Sequence, residues 1–123
     1  MTAPWTGPVY GPVPLRPDEE RTWAMLAHLL ALVGGWVAPL VILLVFRGRG
    51  RYVENQAKES LNFQLTLLIA SLILVGVALL TFGLGALLAP VLVIAQVVFP
   101  ILAGVACSRF EWYRYPVSLR LVS

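Results

Sequence analysis

The sequence predicts an all-α integral membrane protein with three transmembrane helices, and three observations carry that prediction. Hydrophobic residues make up 59% of the 123-residue chain, and its mean hydropathy is +0.85. Charged residues make up 12%, against roughly 25% in a soluble domain. No Lys, Arg, Asp or Glu occurs in the 25 residues from Thr22 to Phe46 or in the 49 from Ser60 to Ser108. That is more uncharged chain than a water-soluble core of this size accommodates.

Taken in order, residues 1–17 carry Pro4, Pro8, Pro12, Pro14 and Pro17 with interleaved Gly7 and Gly11. Such a stretch lacks the donors and apolar mass to fold, so a disordered arm is expected, with Pro14-Leu15-Arg16-Pro17 as a minimal polyproline docking motif. Because the apolar run starts only after this arm, no cleaved signal peptide is expected. Residues 18–123 form a single membrane domain. Asp18 is placed to cap a helix whose first turn holds Glu19 and Glu20. A first span over about 25–46 gives roughly 33 Å of helix, enough for a hydrocarbon layer of about 30 Å. Gly34, Gly35 and Pro39 interrupt it. A single kinked helix is the expectation, and a broken, re-entrant pair is the alternative. The second apolar run accommodates spans over about 61–82 and 86–107, joined at Thr81-Phe82-Gly83-Leu84-Gly85.

Orientation follows from the basic residues. The arm carries Arg16 and Arg21; the first loop carries Arg47, Arg49, Arg51 and Lys58; the Gly-rich turn carries none; the tail carries Arg109, Arg114 and Arg120. Three crossings put the loop and tail on one side, which is then cytoplasmic, with the amino terminus outside and the protein in the cytoplasmic (inner) membrane. Arg47, Arg49 and Arg51 are expected to meet anionic lipid headgroups. Ala24, Ala27, Ala31, Gly34 and Ala38 make a stripe of small residues suited to close helix packing.

Polar groups inside the spans need partners. Gln96 is expected to turn toward Ser71 or toward a backbone carbonyl freed near Gly35 and Pro39. Asn55, Glu59, Asn62 and Thr66 follow helical spacing and form a stripe within reach of the tail, with Glu59 paired to Arg109 or Arg114. Pro90 and Pro100 are expected to kink the third span. The aromatic run from Phe110 to Tyr115 is read as a headgroup anchor.

Chemistry is sparse. One cysteine, Cys107, excludes an internal disulfide. His28 and Cys107 are the only candidate base and nucleophile, and in this topology they lie roughly 27 Å apart along the membrane normal, too far for a dyad. No metal-ligand spacing, phosphate loop or nucleotide fingerprint occurs. No enzymatic activity, cofactor or nucleic-acid partner is therefore expected. The expected partners are the lipid bilayer and either further copies of the chain or another membrane protein.

Three stretches carry a resemblance: ERTWAMLAHLLAL (Glu20 to Leu32), AKESLNFQL (Ala57 to Leu65) and EWYRYPVSLRLV (Glu111 to Val122). Together they resemble a small bacterial and archaeal multi-pass membrane family of unknown function. That family is distantly related to the chloroplast inner-envelope import component and similar to magnetosome membrane proteins that influence crystal size. The resemblance implies a multi-pass helical protein with no established reaction. It marks as signature positions Glu20, Arg21, Trp23 and His28; Lys58, Glu59, Asn62, Phe63 and Gln64; and Tyr113, Arg114, Tyr115 and Pro116. Gln56 stands where histidine is common, so no role of a second histidine carries over. The reading is a non-enzymatic assembly or interaction module; the alternative is an oligomeric translocation or channel component.

Overall fold

The computed structural model describes residues 13–122, and the regular elements among them are all helical. They are α1 (Pro17–Leu29), α2 (Ala31–Gly34), α3 (Val37–Val45), α4 (Arg51–Leu80), a short 3-10 helix (Leu84–Leu88) and α5 (Ala89–Ser108), followed by an irregular tail. Most of the expected disordered arm, residues 1–12, lies outside the described residues. Its last residues are docked: Leu15 is buried, and its N–H donates to the Arg49 carbonyl at 2.7 Å. The first helix starts one residue before Asp18, with Pro17 in its first turn, where a missing N–H costs nothing.

The first apolar segment is broken rather than kinked. Gly35 takes φ +59°, a conformation that strains any residue with a side chain, and the chain reverses there. α3 then runs back beside α1, so that Trp23 and Phe46 pack with ring centroids 4.7 Å apart. The result is a helical hairpin whose first limb, 18 residues over α1 and α2, reaches roughly 27 Å from its mouth. The expected single span over 25–46 is thereby corrected.

Two stretches, Arg51–Leu80 and Leu84–Ser108, are long and apolar enough to cross a membrane. Only 11% of each apolar window is buried inside the chain, so Leu72, Ile73, Leu79, Val91 and Ile94 face outward, as lipid contact requires and a soluble core would not. Phe82 (φ +54°) and Gly83 (φ +93°) turn the chain between the two stretches. The Thr81 hydroxyl secures that turn by donating to the Val77 carbonyl at 2.8 Å and accepting the Gly85 N–H at 2.8 Å. Pro90 falls in the first turn of α5 and so starts the helix instead of kinking it; Pro100 is the proline inside.

Small residues fix the packing. Ala24 and Ala27 of α1 and Ala31 of α2 are fully buried, where α1 packs on α4 and α5 and α2 on α5, whereas Gly34 is exposed and Ala38 lies past the reversal, so the expected stripe ends at Ala31. On α5, Gly104 lies so close to α1 that a Cβ there would stand 2.6 Å from a Leu29 methyl.

The hairpin also moves the charges. The mouth of α1, the loop before α4 and the tail share one end of the bundle: the Arg49 guanidinium donates to the Val13 carbonyl at 2.7 Å, and the Tyr52 hydroxyl to the Glu111 carbonyl at 2.6 Å. The expected placement of α1's start and the carboxyl tail on opposite sides is therefore corrected. All nine basic and six acidic residues cluster at this common end, while the turn at Thr81–Leu88 carries none.

Candidate functional site

The charged end is organised around the start of α4. Glu20 reaches across from α1, and its Oε1 accepts the N–H groups of Tyr52 at 3.0 Å and Val53 at 3.1 Å. A carboxylate there answers two of the four unpaired donors of the helix start and meets the positive end of its dipole. Gly50 makes this possible, because a Cβ at that position would collide with the Glu20 carboxyl group. Arg49, one of the three arginines expected at lipid headgroups, instead turns inward to hold the arm and lies over the Phe46 ring at 5.4 Å. Arg47 and Arg51 are exposed.

One turn further on, a hydrogen-bonded hub joins α1, α4, α5 and the tail. His28 is fully buried; its Nδ1 lies 2.6 Å from the Tyr115 hydroxyl and its Nε2 3.0 Å from Gln56 Oε1. The amide of Gln56 is oriented by two acceptors, since its Nε2 donates to Asn55 Oδ1 at 3.0 Å and to the Tyr113 carbonyl at 3.3 Å. Oε1 must then accept, so His28 donates from Nε2 and receives the Tyr115 proton at Nδ1. Burial pushes the phenols of Tyr115 and, in lesser surroundings, Tyr113 above their ordinary range, which keeps Tyr115 a donor. Cys107 Sγ also donates to Gln56 Oε1, at 3.4 Å. The expected separation of His28 and Cys107 is corrected: the hairpin brings both onto one amide oxygen. Ser60 adds a bond from its hydroxyl to the Ala27 carbonyl at 2.7 Å.

Along α4 a polar stripe grips the backbone of the tail. Glu59 Oε1 accepts the Tyr115 N–H at 3.0 Å, Thr66 Oγ1 the Leu119 N–H at 2.9 Å, and Asn62 both donates to the Val122 carbonyl at 2.9 Å and accepts its N–H at 2.6 Å. The order of contacts shows that the tail passes along the helix to Thr66 and then doubles back to Asn62. Arg120 is thus returned to Glu59, with Nε 3.3 Å from Oε2, and also donates to the Tyr115 carbonyl at 3.2 Å. The partner of Glu59 is Arg120 rather than the expected Arg109 or Arg114; Arg109 pairs with Glu111 at 3.1 Å, and Arg114 is exposed.

The aromatic run divides. Tyr115 is buried, stacked on Phe63 with centroids 4.4 Å apart, and Tyr113 packs edge-on against it at 5.0 Å. These two serve the interior, which corrects the expectation of headgroup anchoring for them, while Trp112 and Pro116 are exposed. Of the remaining signature positions, Trp23 is half-buried on Phe46, Lys58 is partly exposed, and Arg21 is exposed.

Deeper in the bundle, Gln96 Nε2 donates to the Ala31 carbonyl at 2.9 Å, beside the break in the hairpin, while the Ser71 hydroxyl bonds to the Leu67 carbonyl of its own helix at 2.7 Å. Gln64 and Gln96 both line a cavity of about 370 Å³ at the hairpin tip.

Sequence reasoning passed over Tyr52, Gln56, Ser60, Gly50, Gly104 and Arg120 as site residues. A signal for the first three was present: Tyr52, Gln56, Ser60 and Phe63 recur at helical spacing beside the Glu59 stripe, giving α4 one broad polar and aromatic face. Among the described residues, no three His, Cys, Asp or Glu side chains gather as a metal ion requires.

Compared with known proteins, residues 19–122 match the model of a family described as magnetosome magnetite crystal formation proteins. No curated protein and no solved structure matches the chain.

Proposed function

The chain belongs to the magnetosome magnetite crystal formation protein family, and from that premise we propose that it acts in crystal formation as a non-enzymatic assembly or interaction module of the membrane. The observation that carries this reading is the closure of the hub. His28, Gln56, Cys107 and Tyr115 have at most 1% exposure, and their side chains spend their hydrogen bonds on one another, on the tail backbone and, for Gln56, also on the neighbouring Asn55. Groups so engaged clamp helices together and offer nothing to a substrate.

What remains open to a partner is the charged end. Arg51, Glu54, Asn55, Lys58 and the exposed Trp112 border a shallow depression there, a mixture of cation, carboxylate and indole suited to docking. With all nine cations at one end, the charge rule assigns that end to the cytoplasm. Lipid contact along α4 and α5 supports residence in a bilayer, and a second copy or another membrane protein would meet the charged end.

The test is replacement in a magnetite-forming cell that lacks its own members of the family, read as the distribution of crystal diameters by electron microscopy. The full chain is expected to restore crystal size, and Cys107→Ala is expected to restore it equally at matched protein level. Charge reversal of Arg51 and Lys58 together should leave the protein in the membrane yet fail to restore size. Loss of size control in Cys107→Ala at normal abundance and with unchanged thermal stability would refute a non-enzymatic role.

A further inference from the structure

The two long helices are covered at one end and bare at the other. Every buried residue of α4 lies between Tyr52 and Gln64, every buried residue of α5 between Pro100 and Cys107, and none from Leu65 to Phe99 is buried. The cover comes from α1, α2 and α3, which pack on α4 and α5 and go no further than the reversal at Gly35. That reversal is level with Ser71 of α4 and Gln96 of α5: all three border one cavity, and Gln96 bonds to the Ala31 carbonyl. At the tip, Val33 is 94% exposed.

Helical rise converts this pattern into depth. Beyond Glu59, the last charge of α4, the stretch from Ser60 to Ser71 is roughly 17 Å long, and the stretch from Ser71 to Leu80 adds roughly 14 Å. Each is close to half of a hydrocarbon layer of about 30 Å. The outer face of α3, with Val37, Val41, Leu44 and Val45 exposed, is as apolar as the outward faces of α4 and α5. Given the bilayer residence proposed above, on which this inference rests, the half next to the charged end holds four helical limbs: α1 continued by α2, α3, α4 and α5. The other half holds only α4 and α5. At a helix diameter of about 10–12 Å, the two extra limbs add roughly 160–230 Å² of cross-section to one leaflet alone.

We propose that the chain is a wedge that recognises membrane curvature and favours bilayer that is convex on the face carrying the charged end. In a flat sheet the two leaflets have equal area, so the broad half crowds its lipid while the narrow half leaves lipid to fill in. Bending the sheet outward at the charged face enlarges that leaflet relative to the other, and the mismatch is relieved. Amphipathic helices that lie in one interface sense curvature by adding bulk to one face only. Here a hairpin ending near the midplane does the same, held in place by Gln96 and by the packing of Gly104 against Leu29. What is recognised is the shape of the bilayer, and no headgroup charge is required.

The experiment reconstitutes the full chain, carrying a dye appended to its carboxyl terminus, into phosphatidylcholine vesicles, whose neutral surface removes electrostatic attraction. Single-vesicle fluorescence gives protein per lipid area, and dithionite, which does not cross the bilayer, separates copies with the charged end outward from those with it inward. Outward-facing copies are expected to be about threefold denser on vesicles about 40 nm across than on vesicles about 200 nm across, a preference of about 0.7 kcal/mol. Inward-facing copies should show the opposite trend. Equal outward density at both diameters, or the same trend for both orientations, would overturn the wedge; a second copy laid against the narrow half would produce that equal density. Flotation of the vesicles after an alkaline wash keeps the two readings apart. Protein that floats without a curvature preference refutes the wedge and leaves bilayer residence standing, whereas protein stripped by the wash refutes both.

Discussion

Replacing His28 by leucine tests the hub directly. The ring is fully buried and bonded at both nitrogens, to Tyr115 at 2.6 Å and to Gln56 at 3.0 Å. Leucine has a comparable volume but no hydrogen-bonding capacity, so the packing term is small and the loss is polar. Gln56 Oε1 retains the Cys107 thiol at 3.4 Å, whereas the Tyr115 hydroxyl is left without its acceptor inside the bundle. An ordinary lost bond contributes about 1 kcal/mol and an orphaned buried hydroxyl about 1–3 kcal/mol, so His28→Leu should destabilise the protein by about 2–4 kcal/mol. Adding Tyr115→Phe removes the orphan, and the double variant should therefore be less damaged than the two single losses added together, with a coupling of about 1–2 kcal/mol. Equilibrium unfolding in mixed micelles, followed by tryptophan fluorescence, measures all four corners of the cycle. If His28→Leu falls within about 0.5 kcal/mol of the parent, the scale expected for changes away from such features, or if the two substitutions simply add, the hub does not hold the helices together and the reasoning fails.

Three further perturbations separate other parts of the structure. Gly104→Leu forces a side chain into the 2.6 Å approach to Leu29 and should cost about 1–3 kcal/mol, with Leu29→Ala in the same chain recovering part of it in thermal unfolding. Asn62→Leu removes both bonds to Val122, so hydrogen exchange at residues 119–122 should accelerate by about tenfold while α4 itself stays protected. Tyr115 titrates above its ordinary 10.0 because it is buried, so the folded protein holds that proton more tightly than the unfolded chain does. Its contribution to stability is complete below pH 10.0 and is lost as pH rises above that value; alkaline unfolding monitored by tyrosinate absorbance should shift to higher pH in Tyr115→Phe, measured against each variant's own neutral stability.

Composition and hydrophobic pattern make the helical class legible, and the turn signals at Thr81–Gly85 place the hinge between the two long helices. The polar stripe of α4 and its reach toward the tail are legible for the same reason, since helical spacing is a local property. The course of the first apolar segment is not local. Gly34, Gly35 and Pro39 permit either a kink or a reversal, and the choice rests on contacts between distant residues: Trp23 with Phe46, Arg49 with Val13, and Glu20 with the first turn of α4. Glu20 illustrates the difficulty. Its place in the first turn of α1 explains it adequately by local rules, while in the folded protein its carboxylate caps a helix 32 residues away. The pairing of Glu59 with Arg120 depends likewise on the tail doubling back, which no spacing rule encodes.

One signal in the sequence does favour the reversal. A single first span divides the basic residues seven to two, whereas the hairpin gathers all nine at one end of the bundle, the stronger form of the asymmetry that governs insertion. The same arrangement bounds where the molecule can work. The turn at Thr81–Leu88 has neither charge nor amide to present, and its large side chains Phe82, Leu84 and Leu87 are exposed apolar groups suited to lipid. Charged recognition in water is therefore confined to the opposite end, where a buried hydrogen-bonded hub fixes the tail against α4 and so fixes the spacing of Arg51, Lys58 and Trp112. A surface of that kind depends on its internal clamp: loosening His28 or Asn62 should blur the exposed constellation without touching any residue in it. Size control lost in those variants while the exposed side chains stay intact would tie the buried contacts to the external function.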